Sequence, residues 1–95
     1  ALPISHPARR LEPAFLMQQL ELREELEQLG ERHDQSAFDK LCDGTDTMLS
    51  SQWQEFSAQV NQQDWCSARL GLQKLQFLHK LQEELRHLED RWSDN

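Results

Sequence analysis

The sequence predicts an all-α fold, an elongated antiparallel three-helix bundle, on three observations. Gly and Pro number only three each in 95 residues, too few for a many-stranded sheet, whose short strands need a turn signal every ~8–12 residues. Apolar residues recur at helical spacing in three successive stretches. Leu, Glu, Gln, Arg and Met, all strong helix formers, fill most of the first of those stretches. At this length the ceiling is one small domain, and domains of roughly 55–65 residues already fold alone. No internal repeat or low-complexity run is present.

Taken in order, residues 1–12 form an irregular lead-in with Pro3, Pro7 and Arg9-Arg10, in which Leu2, Ile4 and Leu11 are the candidate anchors. The three-helix domain occupies 13–95. Pro13 starts the first helix, because a first-turn Pro lacks only an N–H that has no intrahelical partner, and it pushes Glu12 out of helical dihedrals. Gly30 is the expected stop. Ser36 is the expected cap of a second helix over about 37–60, where Phe38, Leu41, Cys42, Thr45, Met48, Leu49, Phe56 and Val60 fall within about 60° of one line. Gly44 lies on the opposite face and Trp53 at the edge of the stripe. Asn61, with Asp64 in the capping-box position, is expected to cap a third helix running from Gln62 to Trp92. Its Leu75, Leu78, Leu81, Leu85, Leu88 and Trp92 make a coiled-coil-like seam.

Lys and Arg total 10 against 17 Asp and Glu, a formal charge of −7. Nucleic acid and anionic membrane surfaces are therefore disfavoured as partners, since both need clustered cations. No run of about 18 apolar residues spans a bilayer, and the first residues lack the charged and apolar regions of a signal peptide. Cys42 and Cys66 lie apart from any CxxC or Cys/His pairing, the pattern of reduced thiols in a cytoplasmic protein. The absence of an initiator Met predicts either processing or, in preference, a chain cut from a longer polypeptide.

The informative residues are those the bundle does not need. In the first helix Phe15, Leu22, Leu26 and Leu29 share one face, whereas Leu16, Met17 and Leu20 point roughly 100–200° away from it, among Glu21, Glu24 and Glu27. Three large apolar side chains rimmed by charge mark a partner surface of a few hundred Å², and a flexible Met suits such a surface. The bland alternative is that the lead-in, or a domain beyond this chain, folds over them. Phe77 lies roughly 75° off the third-helix seam, either extending the strip or sitting at the edge of the core.

Residues able to carry chemistry are present but not arranged for it. Glu24-Glu25-Glu27 and Glu83-Glu84 fall on polar helix faces, not in the cleft that raises a general acid's pKa. His6, His33, His79 and His87 never form the i, i+4 pairing of a helical metal site. There is no Gly-rich phosphate loop and no GxSxG elbow. Trp53, Trp65 and Trp92 lack the interleaved cations of a base-stacking platform. The expectation is a binding protein without catalytic residues, metal or cofactor.

Two segments carry a family resemblance. Phe15-Leu16-Met17-Gln18-Gln19-Leu20-Glu21-Leu22-Arg23-Glu24-Glu25-Leu26 resembles the FLMEQLELREEL stretch of the HscB family, J-type co-chaperones of bacterial iron–sulfur cluster assembly, and Leu75-Gln76-Phe77-Leu78-His79-Lys80-Leu81 resembles its LRFLDKL. Trp65 sits where the family carries a Trp at the start of its last helix. The resemblance extends over roughly 13–92 and implies the C-terminal three-helix domain. That domain binds the iron–sulfur scaffold protein and presents it to a specialised heat-shock-type ATPase chaperone. The J-domain His-Pro-Asp signature is absent, His6-Pro7-Ala8 being no substitute, so this piece is not expected to stimulate the ATPase alone. The resemblance places the scaffold-binding surface on Leu16, Met17, Leu20, Glu21, Arg23, Glu24 and Phe77. Gln76 departs from the motif's Arg, so a charge contact is not carried over there. The alternative function is a homodimerisation module in which the same strip closes on a second copy.

Overall fold

The computed structural model describes residues 12–94. It contains α1 (Pro13–Arg32), α2 (Gln35–Asn61) and α3 (Trp65–Ser93), and it measures 58 × 26 × 19 Å. The expected all-α elongated bundle is what forms. The lead-in with its anchors Leu2, Ile4 and Leu11 lies, Glu12 apart, outside the described residues.

α1 begins at Pro13 as expected, with Glu12 extended and its carbonyl accepting from the amides of Phe15 and Leu16. It runs past Gly30 to Arg32, because Gly30 keeps helical dihedrals and His33 supplies the left-handed stop at φ 57°. The His33 amide donates to the Leu29 carbonyl there. The caps of the other helices shift likewise. Asp34, not Ser36, caps α2 by accepting from the Ala37 amide at 3.1 Å. Asp64, not Asn61, caps α3 by accepting from the Ser67 amide. α2 therefore includes Asn61, and α3 starts three residues later than the spacing predicts, after a turn with Gln63 at φ 59°. In both corrections a carboxylate near the boundary outcompeted the neutral side chain, as anionic oxygens do at a helix N-terminus.

Contacts fix an up-down-up order. Phe38 meets Trp92, Asp46 accepts from Gln82 and Trp53 meets His79, so α2 and α3 are antiparallel. Glu12 meets Lys74, Phe15 meets Phe77, Arg23 meets Glu84 and His33 stacks on Trp92, so α1 and α3 run parallel. α2 and α3 pair closely, whereas α1 approaches them more sparingly. The core is Phe15, Leu22 and Leu29 from α1, Phe38, Leu41 and Leu49 from α2, and Leu75, Phe77, Leu78, Leu81, Leu85 and Leu88 from α3. Thr45 is fully buried and returns its hydroxyl proton to the Leu41 carbonyl at 2.7 Å. Both expected seams are borne out, and Cys42, Met48, Phe56 and Trp92 pack against them half-buried.

α1 is the short helix. Its start lies beside Lys74, so the first part of α3, together with the end of α2, projects about 13 Å beyond it. Within this projecting arm α2 lies close against Gly71 of α3. A methyl group there would meet the amide ends of Gln59 and Gln52 at 3.0 and 3.2 Å and the Phe56 ring at 3.6 Å.

The caps and the core differ in what they contribute to stability and reactivity. Asp34→Ala should destabilise the domain by about 1 kcal/mol, while Ser36→Ala should change the thermal midpoint little; calorimetry on both variants checks this. Burial, reinforced by Asp46, Glu89, Asp39 and Asp43, pushes the Cys42 thiol up from its ordinary value. A thiol whose folded pKa is raised contributes stability below the ordinary thiol range and loses it as pH rises through the folded value. Iodoacetamide near pH 8.5 should alkylate exposed Cys66 well before Cys42, and the difference should vanish in denaturant, read by mass spectrometry.

Candidate binding surface

The strip on α1 is built by residue spacing. Leu16 and Leu20 are four apart and Met17 and Leu20 three apart, so the three side chains meet on the helix surface. They are 45%, 59% and 64% exposed. Phe15, Leu22 and Leu29, on the other face, are buried. Glu21 and Glu24, each four residues beyond a strip member, are exposed and border it. Five of the seven expected residues thus stand together on the outward face of one helix.

The remaining two are placed differently. Phe77 is buried, 9% exposed, with its ring edge-on to Phe15 at 5.7 Å and 90°. Its expected place on an exposed strip is therefore corrected to the edge of the core, the alternative left open by the sequence. The reason is that α3 has two neighbours. The seam through Leu75 and Leu78 faces α2, and the direction well off it faces α1. Arg23 is half-buried and donates to Glu84 at 2.6 Å, while its guanidinium carbon lies 5.8 Å from the centre of the Phe77 ring. Lys74 repeats the arrangement one step along, paired with Glu12 and 5.6 Å from the Phe15 ring centre. The aromatic pair is thus flanked by two cations, Arg23 held by Glu84 of α3 and Lys74 by Glu12 just before α1. Arg23 and Phe77 lie at the α1–α3 joint, along one border of the strip.

The sequence alone did not pick out Lys74 and Glu12 as partners, since they lie on different helices. It also passed over Leu72, which is exposed with Trp53 and Trp65 on the α2–α3 hairpin. The signal was available, because Trp65, Leu72 and His79 recur every seven residues.

A groove of about 760 Å³ opens between the start of α1, α2 and α3 over Phe15, Gln18, Met48, Gln52, Lys74 and Leu78. It contains no cysteine, serine–histidine pair or histidine. No group of three or more His, Cys, Asp or Glu among the described residues is arranged to hold a metal ion. No described helix is long and apolar enough to cross a membrane.

The sequence matches a known protein family and several curated relatives. Residues 11–86 match the family model described as the HSCB C-terminal oligomerisation domain. The chain is 38% identical over 84 residues to a "Co-chaperone protein HscB homolog" of Photobacterium profundum, covering 87% of this chain and 49% of that protein. It is 38% identical over 81 residues to the protein of the same name from Aliivibrio salmonicida, covering 84% and 47%. The chain thus spans about half the length of the curated relatives it matches. No solved structure matches. With three helices in the matched span and the family model covering most of its length, the chain belongs to the HscB co-chaperone family, as its C-terminal domain.

Proposed function

We propose that this chain is the part of an iron–sulfur co-chaperone that binds the cluster scaffold protein, for delivery to a specialised heat-shock-type ATPase chaperone in the cytoplasm. The observation that carries the proposal is the exposure of Leu16, Met17 and Leu20, side chains the bundle does not use, on the helix nearest in sequence to the family motif. Burying such a strip against a partner gains roughly 25 cal/mol per Å² of apolar surface, and Met17 adapts to the partner's contour. Glu21 and Glu24 form a charged rim that selects orientation more than it adds affinity. Arg23 contributes to that rim from a fixed position, because Glu84 holds its guanidinium. Phe77 acts from beneath, keeping α1 at its set angle through Phe15. Contact with the ATPase chaperone falls mainly to a J domain outside this chain. The binding step requires no cofactor and no catalytic residue.

The family description favours a second reading, self-association. One strip cannot hold a scaffold and a second copy at once, so the two readings compete only if both use α1.

Substituting Leu16, Met17 and Leu20 together by Ala should weaken binding of the purified scaffold protein at least ~30-fold, about 2 kcal/mol. The thermal midpoint should hardly move, since exposed substitutions usually stay within about 0.5 kcal/mol. Titration calorimetry and circular dichroism read the two quantities, and unaltered affinity would sink the assignment. Phe77→Ala should behave in the opposite way, losing about 3 kcal/mol of stability and affecting binding through the fold.

A further inference from the structure

The α2–α3 hairpin carries an apolar face separate from the α1 strip. Trp65, Leu72 and His79 recur every seven residues on α3 and all are exposed, and a seven-residue spacing drifts only about 20° around an α-helix. They form one row about 21 Å long, which Trp53 of α2 widens, its ring 6.3 Å from that of His79. Trp65 is 60% exposed, Trp53 46% and Leu72 44%. α1 meets α3 elsewhere, through Lys74, Phe77 and Glu84.

The charge along this face is opposite in sign to that of the chain. The chain carries −7, yet residues 65–82 hold Arg69, Lys74 and Lys80 and no Asp or Glu. Lys74 is taken up by Glu12 on the side of α1. Arg69 and Lys80 are exposed, and among the described residues neither is ion-paired. Arg69 stands four residues after Trp65 and three before Leu72, so its side chain borders both. The facing stretch of α2 and the turn, residues 47–64, supplies two acids. Both are engaged away from the row, Glu55 at the groove beside α1 and Asp64 as the cap of α3.

We propose that this face receives an acidic amphipathic helix of another protein, whose apolar side chains lie on Trp53, Trp65 and Leu72 and whose carboxylates meet Arg69 and Lys80. Charge selects this occupant. A second copy of the same segment would set cation against cation, whereas a row of carboxylates complements both free cations. A flat anionic surface would press on exposed Glu83, which follows the row on α3, whereas a slender helix ends before it. The residue types agree, because Trp and Arg are the side chains that most often dominate binding energy at protein interfaces. The length agrees as well. A row of about 21 Å fits a partner helix of about 14 residues, read through apolar positions at i, i+3, i+4 and i+7. An apolar area of a few hundred Å² belongs to weak, transient interfaces, so dissociation falls near ~100 µM. The face is distinct from the α1 strip, and the inference therefore does not rest on the scaffold-binding reading.

The probes are a synthetic amphipathic peptide of about 18 residues with a Leu face flanked by Glu, and its counterpart flanked by Lys, titrated into the 95-residue chain while tryptophan emission is followed. The Glu peptide should shift the emission to the blue with dissociation near ~100 µM, and the Lys peptide should bind at least ~10-fold more weakly. Raising the salt from about 50 to about 500 mM should weaken the Glu peptide at least ~3-fold, because exposed charges are screened. Arg69→Glu and, separately, the double variant Trp65→Ser, Leu72→Ser should each weaken it at least ~10-fold while circular dichroism and scaffold affinity stay unchanged. The Leu16, Met17 and Leu20 triple alanine variant should bind it like the parent. Equal binding of the two peptides, no binding of the Glu peptide up to about 1 mM, or its loss in the triple variant each overturns the proposal. Loss of scaffold affinity in the hairpin variants overturns it too, by showing the row to be a scaffold contact. Tighter binding to phosphatidylglycerol vesicles than to the Glu peptide assigns the face to a membrane instead, and self-association that the Glu peptide displaces assigns it to a second copy. Scaffold affinity is read separately on the α1 triple variant, so failure here and failure of the co-chaperone reading remain distinguishable.

Discussion

The edge-to-face contact between Phe15 and Phe77, beside the buried Leu22 and Leu29, sets how α1 joins the α2–α3 hairpin. α2 and α3 share a long apolar seam and stay together through ordinary side-chain burial. α1 is shorter and meets them more lightly, so the few contacts it makes carry much of its attachment. A perpendicular aromatic pair contributes about 0.5–1.5 kcal/mol beyond its buried area. Here each ring also lies within about 6 Å of a cation that is itself paired across the joint, Lys74 with Glu12 and Arg23 with Glu84. Each ion pair, partly exposed, adds at most about 1 kcal/mol. Together they fix the register and rotation of α1, because the four groups can be satisfied simultaneously in only one alignment.

That rotation decides what α1 presents. With Phe15, Leu22 and Leu29 turned inward, Leu16, Met17 and Leu20 must turn outward, since residues one and two positions away from a buried one lie on other faces of an α-helix. The strip is therefore a consequence of the joint, and its acidic border comes from the same helix. At the far end His33 ends α1 in a left-handed conformation and stacks on Trp92 at 4.2 Å, tying the α1–α2 turn to the last turns of α3. The helix that carries the exposed strip is thus anchored at both ends while its outer face meets solvent.

How legible the exposed strip was depended on how many neighbours each helix has. α1 has one broad buried face, so a single wheel separated its core residues from Leu16, Met17 and Leu20 correctly. α3 touches both α1 and α2 and buries two directions at once. A wheel drawn around one seam then treats the second as surface, which is how Phe77 came to be expected outside. The same wheel overlooked Leu72, which lies to the other side of the α2-facing seam. Arg23 was recognisable as part of the family motif, but its commitment to Glu84 was not, because their separation of 61 residues leaves no local pattern.

By itself the sequence determined the helical class, the start of α1 at Pro13, the inward stripes of all three helices and the acidic character that disfavours nucleic acid. These are properties of composition and of spacings within one helix, which act over a few residues. Tertiary structure alone decided which direction off the α3 seam is covered, which cations are held and how far the α2–α3 hairpin outruns α1. Those depend on the relative lengths and rotations of elements that meet only after folding. The cap positions stand between the two cases: Asp34 and Asp64 are local features, yet the chain path through the turns decides which of several nearby oxygens reaches the free amides.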